Sequence, residues 1–329
     1  MEPPPYPLYS TSFLLYRLSP LFLDAVNFDD NSLRQYASQF RDILVGDVLR
    51  GVRVGLAADD EPLARVGALR NVSWKHLGTE EAWRSETDGG VHRPDEPEQR
   101  HLGIFVQITY EKVTYSAILL WDREKEDEAS FAHYPLILTR MPTTLRQTFL
   151  HFLSRTFDTR ASLMKLPSQF LTEILEKYLS DLTTSGNGPD PSTQESTESI
   201  IKDILITVSF EIPGGSSSLK TIDITIPKDD VWPMIVRGRK LQQINQSAAN
   251  STNSDRPFTM ALSHYIRGHL GLNLEHNYVN FSKISCGAFV IGMEGRVKIF
   301  PPRGGDDIQE RATKTLLESL VRAAQSRYR

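Results

Sequence analysis

At 329 residues the chain can bury a sizeable core, and a composition of 40% hydrophobic and 24% charged residues excludes a disordered or fibrous class. A net charge of −4 gives no bulk attraction to nucleic acid or anionic membrane, so either would need a local basic patch. Cys286, the only cysteine, excludes an intramolecular disulfide and a cysteine-built zinc site, and favours a reducing compartment, cytosol or nucleus.

The N-terminus, MEPPPYP, lacks the positive start of a secretory signal, and Arg17 and Pro20 interrupt the apolar run that follows. No uninterrupted stretch approaches a membrane span, so the expectation is a soluble intracellular protein. Residues 1–10 read as a disordered, polyproline-like tail. Phe13 to Leu18 reads as a strand ended by Ser19-Pro20. Asp30, Asn31 and Ser32 offer caps for a helix to about Leu44, with Leu33, Tyr36, Ala37, Phe40 and Leu44 at helical spacing. Val52 to Leu56 and Leu69 to Leu77 read as strands, and the polar, acidic stretch 78–100 as a loop. Leu102 to Tyr110 and Val113 to Trp121 alternate on either side of Glu111-Lys112, which predicts a hairpin. A strand at Tyr134 to Thr139 follows. Helices are predicted after Pro142, with Leu145, Phe149, Phe152 and Leu153 on one stripe, and from about Pro167 to Leu182.

Composition makes 183–199 a flexible linker between an N-terminal α+β domain, 11–182, and a β-rich domain, 200–302. In the second half, Ile204 to Phe210 pairs with Ile222 to Ile226, residues 242–257 form a polar insert, and Phe258 to Leu270 forms a helix. Ser282 to Pro302 reads as two strands around the turn Gly292-Met293-Glu294-Gly295. Ile284, Cys286, Ala288 and Val290 share one face of the first, and Phe289 and Ile291 the other. Val297 and Ile299 oppose Arg296, Lys298 and Phe300 on the second, and Pro301-Pro302 ends it. A helix over 303–329 places Ile308, Ala312, Leu316 and Leu320 four apart. Hairpins interspersed with helices, without regular strand–helix alternation, define an α+β class of mostly antiparallel sheet. A hairpin apolar on both faces must be covered, by the chain's own helices or by a partner.

No segment carries a strong catalytic signature, and no cofactor or metal is expected. Gly214 to Thr221 (GGSSSLKT) follows phosphate-loop spacing, except that Leu219 replaces the second glycine and the segment opens a strand rather than a helix. His264 and His269 lie five apart, about 140° around a helix, and share no face. Cys286 sits in an apolar strand, the usual place of a small buried thiol. Asp59-Asp60 and Asp229-Asp230 lie in turn-like contexts. Arg146 and Arg155 are out of phase on their helix, and Glu318 interrupts the Arg311, Lys314, Arg322 face four residues from the last two. Arg237, Arg239 and Lys240 remain as candidate DNA contacts beside the polar insert.

FLLYRLSPL at 13–21, GDVLRGVRVGL at 46–56, GALRNVSW at 67–74 and ISCGAFVIGMEGRVKIF at 284–300 together resemble the fungal branch of the CENP-L family. The resemblance spans about Ser12 to Phe300 and rests on structural motifs. It implies a non-enzymatic inner-kinetochore scaffold in the nucleus that pairs with a CENP-N-like subunit. It also implies association with other inner-kinetochore subunits, and with CENP-A chromatin indirectly. In isolation such a chain is expected to self-associate as a homodimer. The family's partner contact on the C-terminal sheet falls on Phe289, Ile291, Val297, Ile299 and Phe300. A nucleic-acid-binding module in its own right is the alternative.

Overall fold

Strand alternation and helical stripes resolve into an α+β architecture in a computed structural model that describes residues 5–23, 28–49, 66–80, 82–83, 101–125, 130–184, 202–211, 220–246, 256–302 and 307–325. The strand expected at Val52 to Leu56, most of the loop at 78–100, nearly all of the linker at 183–199 and part of the 242–257 insert lie outside those residues. The chain forms two compact units: Met1–Met164 with Leu320–Arg329, and Lys165–Ser319.

Unit 1 is built on strands β1 (Ser12–Leu18), β3 (Leu69–Leu77), β4 (Gly103–Tyr110), β5 (Thr114–Leu120), β7 (Leu136–Arg140) and β8 (Ala161–Leu163), with β2 (Leu21–Phe22) and β6 (Phe131–Ala132) as a separate two-residue ribbon. They pair antiparallel in the order β3-β4-β5-β7-β1-β8. The expected β4–β5 hairpin forms, with Val106 opposite Ala117 and Ile104 opposite Leu119. That face packs against helices α1 (Asp30–Leu49) and α2 (Thr143–Phe157) through Phe40, Trp74, Phe149 and Phe152, whose rings meet at 5.0–6.1 Å. Leu33, Ala37, Phe40 and Leu44 are buried, as the stripe predicts, but α1 runs past Leu44, and its cap is Asp29. Asp29 Oδ1 accepts the Ser32 N–H at 2.7 Å, and these bonds hold its carboxyl below the usual range.

The opposite face of this sheet is equally apolar: Phe105, Ile118, Leu138 and Leu15 form one buried cross-strand row. Here the expectation of a tail over residues 1–10 needs correction. Tyr6 and Leu8 are buried, the Tyr6 hydroxyl donates to Gly78 O at 2.7 Å, and the Tyr6 ring meets Trp83, which meets Phe105. The burial of these two side chains outweighs the extended bias of the prolines before them.

Unit 2 contains β9 (Ile204–Phe210), β10 (Thr221–Ile226), β11 (Val279–Ser285), β12 (Phe289–Gly292) and β13 (Arg296–Ile299), paired antiparallel in the order β10-β9-β11-β12-β13. Its helices are α3 (Ser168–Thr184), α4 (Lys228–Gln246), α5 (Pro257–Leu270) and α6 (Asp307–Gln325), the last contributing residues from Leu320 onward to unit 1. Helix α3 therefore belongs with the C-terminal sheet, not with the N-terminal domain as its position before the linker suggests. Ser168 Oγ accepts the Phe281 N–H at 2.8 Å, where the β9–β11 register shifts, and Tyr178 packs edge-on to Phe289.

Two further expectations change. The continuous strand expected over 284–291 is two strands reversing at Cys286–Ala288, closed by Cys286 N–H to Phe289 O at 2.9 Å. Ile284 therefore faces the same way as Ile291, not the opposite way. Residues 242–246 continue α4, and Asp229-Asp230 occupy its first turn, where acidic side chains complement the exposed N–H groups.

Candidate interaction surface

Alternation on β9 and β11 to β13 places Ile204, Ile206, Val208, Ile284, Phe289, Ile291, Val297 and Ile299 on one face of the unit 2 sheet. All are at most 1% exposed. Four of the five residues expected to touch a partner, Phe289, Ile291, Val297 and Ile299, are thus core residues buried by the chain itself, Phe289 against Tyr178 of α3. Another chain would reach them only by displacing that cover. Phe300 differs. It lies on the opposite face, half-buried, with its N–H donating to Ala288 O at 2.8 Å. Lys202 and Lys298 stand over its ring at 5.9 and 5.2 Å from the centroid.

The edge of the sheet is the feature that sequence reasoning did not single out. Strand β10 has β9 on one side and, among the described residues, no strand on the other. Phe210 N–H bonds to Lys220 O at 3.1 Å, which sets the phase of the ladder. By alternation Ile222, Ile224 and Ile226 bond to β9, while Thr221, Asp223 and Thr225 turn their N–H and C=O groups outward. The short apolar-polar alternation of TIDITI signals a strand, but not that it ends a sheet.

Arg237, Arg239 and Lys240 are exposed on the second half of α4. Arg237 and Lys240, three apart, are neighbours on the helix, while Arg239 is rotated about 200° from Arg237. The structure does not bring the three into one patch. On α6, Arg322 pairs with Glu124 at 3.0 Å instead of with Glu318.

The candidates for chemistry resolve simply. Cys286 is buried, and burial pushes its thiol up to about 12, away from nucleophilic use. Thr221 of the glycine–serine segment opens a strand, as expected; residues 212–219 lie outside the described ones. Tyr265 and His269 stack at 4.3 Å on exposed turns of α5. Among the described residues no group of three or more His, Cys, Asp or Glu side chains is arranged to hold a metal. No described helix is long and apolar enough to cross a membrane.

The fold is of the antiparallel α+β class, and among the described residues its sheet ends at β10, an edge of the kind that strand addition can extend. The family can be stated: a family model described as CENP-L, Centromere protein L, matches residues 7–325, and the chain belongs to that family. CENP-L is a structural kinetochore family rather than a known enzyme family, and membership assigns the chain to the centromere, in the nucleus, in chromosome segregation. No curated protein matches the chain individually.

Proposed function

We propose that this chain is a non-enzymatic scaffold subunit of the inner kinetochore that heterodimerises with a CENP-N-like protein. The pair, together with other inner-kinetochore subunits, links CENP-A nucleosomes to the kinetochore. The observation that carries the pairing is the open edge of β10, where a partner strand can extend the sheet by bonding to the outward groups of Thr221, Asp223 and Thr225. The buried Phe289, Ile291, Val297 and Ile299 support this edge by fixing the sheet against α3, and Phe300 adds a half-exposed aromatic surface. Thr225→Pro removes one outward N–H and leaves the β9 ladder intact. Co-expression with a CENP-N-like protein is expected to yield a stoichiometric complex that Thr225→Pro or Phe300→Asp abolishes at unchanged melting temperature. Pairing that survives both substitutions would exclude this edge and this face.

The alternative, nucleic-acid binding by the chain itself, draws on the adjacent, exposed Arg237 and Lys240. It predicts salt-sensitive duplex binding that Arg237→Glu with Lys240→Glu weakens.

A further inference from the structure

The unit 2 sheet has a second face, and its chemistry is unlike the first. Cross-strand register sets Thr225, Leu205, Ser285, Val290 and Lys298 in one row across it, and Asp223, Thr207, Lys283, Gly292 and Arg296 in the next. None of these residues is fully buried, whereas Ile204, Ile206, Ile284, Ile291, Val297 and Ile299 on the opposite face are. Charge is unevenly spread over the face. At the β10 end Asp223 accepts a hydrogen bond from the Thr207 hydroxyl at 2.6 Å. At the β11 to β13 end stand Lys283, Arg296 and Lys298, with Lys202 beside Phe300. Among the described residues Lys202, Lys283 and Lys298 make no ion pair, and Arg296 reaches only the exposed Glu294 at 3.3 Å.

Two ammonium groups lie within 6 Å of one aromatic centroid. Each is attracted by the ring and repelled by the other, so an anion bridging them relieves the repulsion. Val290 and Leu205, half-buried, form an apolar floor in the same row as Lys298.

We infer that this face is a docking site for an extended, acidic protein segment, whose carboxylate bridges Lys202 and Lys298 while an apolar residue two positions away lies on Val290 and Leu205. An extended segment presents every second side chain to one side, which matches a row of apolar and basic residues on a pleated surface. Charge complementarity selects the occupant. Three unpaired cations over an apolar floor, bounded by Asp223, suit a short acidic-apolar segment better than a duplex, whose phosphates require a longer stripe of one sign. The site is independent of strand addition at β10.

The test uses the full chain and a fluorescein-labelled peptide of about ten residues alternating Glu with Val around a central Phe. The same peptide with Gln for Glu, and a duplex of about 20 base pairs, are the comparisons. Fluorescence anisotropy at moderate salt should show saturable binding of the Glu peptide, and binding of the Gln peptide weaker by about tenfold or more. Lys202→Glu with Lys298→Glu should cost about tenfold or more, and Lys202→Arg with Lys298→Arg should restore binding. A circular dichroism spectrum matching wild type certifies the folded state of each variant. Absence of saturable binding, equal affinity for the Glu and Gln peptides, or indifference to charge reversal would overturn the inference. Tighter duplex binding, lost on the same reversal, would also overturn it and make the face a phosphate-binding surface.

Discussion

Glu176 lies on α3, yet it caps a helix that begins 81 residues later. Pro257 opens α5 without an N–H, and Arg256 before it makes no side-chain cap, so Phe258 and Thr259 carry the first unpaired N–H groups. The Glu176 carboxylate, 6% exposed, takes both: Oε1 accepts from Thr259 at 2.6 Å and Oε2 from Phe258 at 3.4 Å. The short bond is charge-assisted, a type contributing about 1.5–3 kcal/mol, while the long one adds little. Glu176→Ala loses that bond and exposes two helix-end donors to burial without a partner, but it also removes the cost of desolvating a carboxylate. The net expected loss is about 2 kcal/mol, or about 4–8 °C in melting temperature for a unit of this size. Glu176→Gln keeps an acceptor without the charge and should lose about half as much. Urea unfolding at neutral pH, followed by circular dichroism, measures both. The neighbouring Arg256–Glu173 pair is the control: its side chains are 29% and 36% exposed, so Arg256→Ala should cost under about 1 kcal/mol. A Glu176→Ala variant within about 0.5 kcal/mol of wild type, or no worse than Arg256→Ala, would refute the capping argument.

Other outcomes can be checked alongside it. A β-carbon at Gly238 of α4 would stand 1.8 Å from Pro257 O, so Gly238→Ala must push the two helices apart; a stability loss of about 1–3 kcal/mol is expected by urea titration. Cys286 should resist thiol reagents in the folded state and react on unfolding. Its folded pKa, about 12, lies above its ordinary value of 9.0, so the folded state holds the proton more tightly. The resulting stability is present below pH 9 and is lost as pH rises from 9 toward 12, by at most about 1.4 kcal/mol per pH unit. Cys286→Ala should flatten that part of the pH profile.

Much of the architecture was legible where one period ran uninterrupted. The four-residue stripe of Leu33, Ala37, Phe40 and Leu44 and the matched alternation around Glu111-Lys112 each admit one reading, and the structure has both. The reversal at Cys286–Ala288 was hidden because apolar residues continue through it and Gly287 is its sole punctuation. Helix α4 was hidden for the opposite reason: with Val231, Ile235 and Gly238 buried, its stripe is narrow, and Pro233 in its second turn argues against a helix. The candidate surface was half legible. Alternation separates Phe300 from Val297 and Ile299, but it cannot say which face the chain covers itself. That is decided by α3, whose position on this sheet depends on contacts distant in sequence, such as Ser168 with Phe281.

The return of the chain to unit 1 at Leu320 has a consequence during synthesis. Asp122 is buried at the end of the β4–β5 hairpin, where the Gln325 side chain donates to it, and Arg322 pairs with the adjacent Glu124. The ribosome makes residues 1–164 first, but these partners are added only after all of unit 2, about 10–30 s later at ordinary elongation rates. The first-made unit is therefore the last to be finished. A fragment ending at Met164 leaves Asp122 without the Gln325 amide and Glu124 without Arg322, whereas one that fuses Leu320 to Gln325 back onto it supplies both groups again.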